Sequence, residues 1–421
     1  MNKKKLVVAI ACVLCASLSQ QVYAAEYNWT GDGSSNNLGD SLNWAENTLP
    51  SGSLNDLIFD ATAITNPFPV NTVNSLGALT GTTYKYLSFS SGDFSVTGSP
   101  LELWTSDTAE TNSGSINPTL FVTDSNTVIN NDLRLEAYQQ PADTYNSGSI
   151  IVENGFLELA GDTTAVVDLM NISLRTTASG ESSILEISGN FNHTDYLGYT
   201  PPSTAYPGHD GSRLAISGSG YTIYNPDGSI NSAGSDNQLY VSGSLVADDI
   251  YVEGLSVFEV TGSIQTGQIE SSGYQSTPMV LKEGGRLIDS TTSGTGIISD
   301  MHLTLDNSVS VNNDRVADSF TIGTGYNGTR LNLIGNATQA VSERIGTLFV
   351  GYDHQMASSD SSYRYNYDYA SAHAVIDISQ DSFAAPVSLT IGDVRYDDVM
   401  LPGIDNSYIW NVRLNTDGTF G

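Results

Sequence analysis

Hydrophobic positions along this chain fall into short runs of strict alternation, and the runs close on glycine. The recurring phrase is an apolar residue, any residue, an aliphatic residue, usually Ser or Thr, then Gly. It occurs at residues 94–98, 157–161, 185–189, 214–218, 239–243, 258–262 and 331–335. From Gly161 to Gly262 the steps are 28, 29, 25 and 19 residues, repeat-like in period and loose in length. Alternation of period two sends the apolar side chains to one face of a strand, and the glycine marks the turn that follows. The pattern predicts an all-β chain folded as a single elongated β-solenoid, of the right-handed parallel β-helix kind. Each coil in such a fold buries the open face of its neighbour.

Other runs fit the same scheme: Leu87 to Phe89, Leu101 to Leu103, Leu133 to Leu135, Ile184 to Ile187 and Leu303 to Leu305. A second phrase, in which Gly directly follows the aliphatic residue, appears at 320–323, 348–351 and 389–392, with its first two copies 28 residues apart. The solenoid is therefore expected to occupy residues 61–421. Residues 139–147, 196–213 and 352–369 break the rhythm with Pro, Gly and Tyr and are expected to protrude as loops. In the last of these, Tyr363, Tyr365, Tyr367 and Tyr369 alternate, which places four phenols on one face of an extended segment. They are the candidate ligand-contact loop, since an aromatic ring stacks while its hydroxyl bonds. The competing expectation is that the rings pack against the solenoid wall.

Residues 1–24 read as a secretory signal: Lys3 to Lys5, an apolar stretch from Leu6 to Leu18, and Val22-Tyr23-Ala24 as the cleavage site. That stretch is too short for a permanent membrane span, and none is expected in the mature chain. Export to the bacterial surface or the extracellular medium is the predicted location. Cys12 and Cys15, the only cysteines, lie inside the signal, so no disulfide or thiolate site is expected afterwards. The formal net charge is -31, and Lys85 and Lys282 are the only lysines beyond the signal. Such an acidic body argues against nucleic acid or an anionic membrane as a partner.

The mature chain opens with Trp29-Thr30-Gly31, Asn43-Trp44, Pro50 and Asp56 three residues before Phe59. Trp29 and Trp44 are large apolar plugs placed where a first coil would otherwise expose its core, which predicts an N-terminal cap over residues 25–60. This segment resembles the opening of bacterial autotransporter-associated β-strand repeat proteins and related exported β-helical passengers. The resemblance covers residues 27–60 and implies a surface or secreted protein that acts as a stalk or adhesin toward a glycan or a cell-surface protein. It also implies a C-terminal membrane barrel, and no run of segments of that kind closes the chain. Residues 415–421 read instead as a coil cut short.

Candidate chemistry is sparse, and the protein is expected not to be an enzyme. Polysaccharide lyases and hydrolases built on β-helices are the leading alternative, and they need carboxylates converging in one groove. Asn415-Thr416-Asp417-Gly418 looks like the opening phrase of a polygalacturonase site but lacks downstream coils. Asp248-Asp249 and Asp397-Asp398 are badly placed to complete it. The cations Lys282, Arg286, Arg315 and Arg330 are scattered singly, and His193, His209, His302, His354 and His373 show no metal-ligand pairing and are expected in solvent. No cofactor is expected. Asp32, Asp40, Asp227 and Asp236 lie in turns that could offer oxygens to structural calcium, as a calcium-dependent matrix or surface-layer protein would need. Turn initiation by the same residues is preferred.

Overall fold

The computed structural model describes residues 25–35, 37–50, 53–64, 70–74, 83–105, 119–137, 147–177, 180–194, 213–220, 223–224, 230–231, 236–271, 277–291, 294, 296–323, 329–350, 373–379, 385–396 and 411–416. Among them, strand pairing is almost entirely parallel and connects each strand with one from the next coil. One coil reads Ser147–Glu153, Phe156–Leu159 and Thr163–Val166, after which the chain returns to Leu169–Thr176, where Ser147 pairs with Leu169. Three ladders result, one for each strand of the coil. The first begins with Glu26–Trp29 on Ser53–Asp60 and reaches Val341–Val350 on Val387–Tyr396. The second runs from Leu101–Thr105 to Arg286–Asp289. The third runs from Val70–Asn74 to Asn411–Thr416. The chain is thus a stacked parallel β-solenoid, as its alternation predicts.

Stacking converts period two into columns of like side chains. On the first ladder Leu57, Leu87, Leu120, Ile150, Ile172, Ile216 and Val252 lie in register and are buried. On the third, Leu159, Ile187, Val241, Val260, Leu281, Leu305 and Leu333 form a second buried column. Full burial of such a side chain contributes about 1.5–3 kcal/mol, so the columns supply the main driving force for adding each coil.

The first coil is closed by aromatic packing. Trp29 meets Trp44 edge to face, with centroids 5.2 Å apart, and Phe59 stacks on Phe89 at 5.0 Å. Asn43 ties down the covering segment: its Oδ1 accepts from Gly33 N at 2.7 Å, and its Nδ2 donates to Ser35 O and Asn37 O. Trp44 Nε1 donates to Leu38 O at 3.0 Å. Both indoles are buried, at the start of the described core.

The glycine phrases need correction in register. Gly161, Gly189, Gly243 and Gly262 turn the same corner after the third ladder, and Leu157, Leu185, Leu239 and Phe258 stack in order. The 214–218 copy does not belong to that stack. Leu214 lies on the first ladder between Met170 and Ile250, and Gly218 packs on Gly254. In the second phrase, Ile322 pairs with Leu348, and Gly392 packs on Gly346, so the matched copies are offset from the spacing that their wording suggests. Local alternation is the same on every face, and only pairing distinguishes them.

Candidate functional site

Among the described residues, two places gather several charged side chains largely out of water. The first follows the third-ladder strand His302–Asp306, where residues 307–314 loop out before the chain re-enters the wall at Arg315 and Val316. Arg315 is fully buried. Its Nε donates to Asn307 Oδ1 at 3.1 Å, Nη1 to Gly285 O at 3.1 Å, and Nη2 to Asp306 O at 2.8 Å and Ser310 O at 2.9 Å. Glu343, also fully buried, accepts from Arg315 N and Val316 N at 3.1 Å. Burial pushes the Glu343 carboxyl up to about 7, against the pull of those two N–H groups. With its donors built in, this knot fixes the loop: it anchors a surface that carries Val309 at 82% exposure.

The second place is the outer face of the first ladder. Arg213 opens its strand directly after residues 195–212, and its N–H donates to Asp168 O at 3.0 Å. Register sets Leu169, Arg213, Asp249 and Gln268 in one row and Asn171, Ala215, Tyr251 and Glu270 in the next. The Arg213 guanidinium lies 4.5 Å from the centre of the Tyr251 ring. Its Nε is 3.6 Å from Asp249 Oδ2, and its Nη2 is 3.5 Å from Glu270 Oε2. Those separations exceed hydrogen-bond length, and Arg213 Nε is buried without an acceptor. Tyr251 Oη donates to Glu253 Oε2 at 3.2 Å, which adds a third carboxylate. Side-chain exposures are 23% for Arg213, 11% for Asp249 and 35% for Glu270, and both carboxylate oxygens of Asp249 are out of water. One cation, an aromatic ring and two carboxylates thus meet on a sheet face, a set able to donate, accept and stack.

His193 lies in the neighbouring corner and corrects an expectation. It is buried, with a ring Nε2 2.9 Å from Val167 O, rather than in solvent. Burial pushes its pKa down to about 4, opposed by the Val167 carbonyl and the charge of Asp249. Nothing in the sequence distinguishes it from His302, which is exposed. His373 falls in the strand His373–Ser379, and His209 and His354 lie outside the described residues.

The remaining candidates separate cleanly. Tyr363, Tyr365, Tyr367 and Tyr369, with the whole of 352–369, lie outside the described residues, as do the signal segment 1–24, Asp227, Asp397, Asp398 and Asp417. So do residues 139–146 and 196–212 of the other two expected loops. Asp40 is committed to its turn, accepting from Leu42 N and Ser34 N at 3.1 Å, and these bonds hold its carboxyl below the ordinary range. Asp236 accepts from Gln238 Nε2 at 2.6 Å and Ser256 Oγ at 3.1 Å. Among the described residues no group of three metal-ligating side chains converges, and no helix is long and apolar enough to cross a membrane. Lys282 pairs with Glu259 at 2.7 Å, whereas Arg286 and Arg330 stand exposed on separate ladders. Sequence reasoning took Arg315 for one of several singly scattered cations and placed Arg213 at the end of a protruding loop, whereas Arg213 opens the strand Arg213–Gly220. The only available signal for Arg213 was its position, immediately after a proline-rich insertion and at the start of an alternating run.

No family model matches this chain, and no curated protein or solved structure matches it either.

Proposed function

We propose that this protein is an exported, non-enzymatic β-helical surface or secreted protein that acts as a stalk or adhesin. The observation that carries the reading is a single apolar core spanning Tyr27 to Ile376, which makes a stiff rod of register-locked coils. Polar side chains on the outside of such a rod are held at the coil spacing of about 4.8 Å, so weak contacts add along its length. The secretory signal, the absence of cysteine beyond it and the strong acidity support residence outside the cell. Purified protein should bind members of a glycan array without releasing reducing ends from any polysaccharide it binds. Release of reducing ends would overturn the non-enzymatic reading.

A second reading, a polysaccharide-active enzyme, draws on one observation. Asp249 and Glu270 both approach the Arg213 guanidinium, so two carboxylates share one outer face, as glycoside cleavage requires. The same assay decides between the two.

A further inference from the structure

We infer that the outer face of the third ladder, where Phe156, Ile184 and Val257 run beside Glu158, Glu186 and Glu259, docks a cationic amphipathic helix of a protein partner; this rests on the adhesin reading and gives it a partner class. Register builds the face. Phe156, Ile184, Gln238 and Val257 follow one another in one outward column, and Glu158, Glu186, Tyr240 and Glu259 in the next. Every one of these side chains is half-buried, so each keeps part of its surface in solvent. The first two glutamates are held from the following coil: Ser188 Oγ donates to Glu158 Oε1 at 2.6 Å, and Ser242 Oγ to Glu186 Oε1 at 3.1 Å. Like charges directly opposite on neighbouring strands cost stability, and a cation set between Glu158 and Glu186 relieves that cost. The chain itself shows the contact a basic side chain makes here, because Lys282 Nζ lies 2.7 Å from Glu259 Oε1.

Spacing selects a helix. Adjacent coils repeat at about 4.8 Å, and the two columns lie about 6.6 Å apart, two residues along a strand. An α-helix laid along the solenoid axis repeats at about 5.4 Å per turn, so its successive turns keep near step with successive coils. One stripe of its side chains, apolar, then meets Phe156, Ile184 and Val257, while the neighbouring stripe of Lys or Arg meets the carboxylates. An extended strand on the same axis advances about 6.6 Å between side chains of one face and falls out of step within two coils. Charge removes other occupants: the chain carries -31, which repels a second copy, a nucleic acid and an anionic surface. A simple inorganic cation makes no use of the apolar column.

The test titrates a synthetic helix of about four turns, with Leu along one face and Lys along the other, into the full chain, and compares it with a scrambled peptide of the same composition. The variants are Glu158→Gln/Glu186→Gln, Phe156→Ser and, with the same charge removed from the other two ladders, Glu102→Gln/Glu153→Gln. The patterned helix is expected to bind about tenfold tighter than the scramble. Its binding should weaken about fivefold or more in Glu158→Gln/Glu186→Gln and in Phe156→Ser, and stay at the wild-type level in Glu102→Gln/Glu153→Gln. Glutamine keeps an oxygen for Ser188 and Ser242, so the first variant keeps the test sound should Phe156→Ser unfold. Equal binding of the two peptides, equal loss in the two double variants, or no loss in Glu158→Gln/Glu186→Gln overturns the docking face. Dimerisation of the protein alone that Phe156→Ser abolishes assigns the face to a second copy and overturns the helix. Binding of array glycans without binding of the helix overturns the inference but spares the adhesin reading. Binding of neither overturns both.

Discussion

Gly243 packs so closely on the carbonyl oxygen of Gly189, 54 residues earlier, that a Cβ at that position would overlap it. The two N–H groups of Ser242 and Gly243 converge on Ile187 O, each at 3.0 Å, which draws the corner tight. The same contact recurs from Gly189 to Gly161 and from Gly262 to Gly243. Gly243→Ala must therefore push backbone from backbone, and it is expected to cost about 2–3 kcal/mol, as overpacking a rigid site does. A thermal melt followed by circular dichroism checks this; an unchanged midpoint would show that the corner yields.

The aromatic cap should protect the coils beneath it. Trp44→Ala removes the edge contacts with Trp29, Tyr27 and Phe59 and the bond to Leu38 O. A loss of about 3–5 kcal/mol is expected, and because coils interact only with their neighbours it should be local. Hydrogen exchange should accelerate in Glu26–Trp29, Ser53–Asp60 and Thr83–Ser90 while Asp236–Val241 and Pro278–Lys282 keep their protection.

Arg315 is expected to resist replacement even by lysine. Four acceptors, Asn307 Oδ1, Gly285 O, Asp306 O and Ser310 O, face one planar guanidinium, and an ammonium cannot reach all of them. Arg315→Lys should cost about 3 kcal/mol or more in urea unfolding, by leaving buried carbonyls unmet. Limited proteolysis should then cut within residues 307–314 faster than in the wild type.

Two buried groups should give opposing pH dependences. Between pH 4.5 and 7 the folded Glu343 holds a proton that the unfolded chain has released, so its contribution is complete below pH 4.5 and lost as pH rises through about 7. Between pH 6.5 and 4 the unfolded His193 takes up a proton that the folded ring refuses, so stability falls as pH drops toward about 4. Across the shared window the two slopes offset each other. Relative to the wild type, Glu343→Gln should gain on the order of 2–3 kcal/mol between pH 4.5 and 7, and His193→Gln should gain a similar amount on acidification from pH 6.5 to 4. Urea midpoints across pH 4 to 8 check both signs, and parallel curves for the three proteins would refute them.

The alternating runs determined which residues face inward, because period two is a local property of an extended chain: Leu57, Leu87, Leu120 and Ile150 could be assigned to a buried face before their partners were known. Tertiary structure alone decided which copies of a phrase stack. Leu214 and Leu239 stand in near-identical local sequence, yet they lie on different ladders, because Leu214 follows a second-ladder strand and Leu239 precedes one, so the same phrase falls on two different sides of the coil. The charged sites were illegible for the same reason. Arg213, Asp249 and Glu270 are distant in sequence and meet only through coil register, while Arg315 and His193 are buried by neighbours that come from other coils. Side-chain direction is set locally, but burial and electrostatic partnership depend on which chain segment lies one coil away.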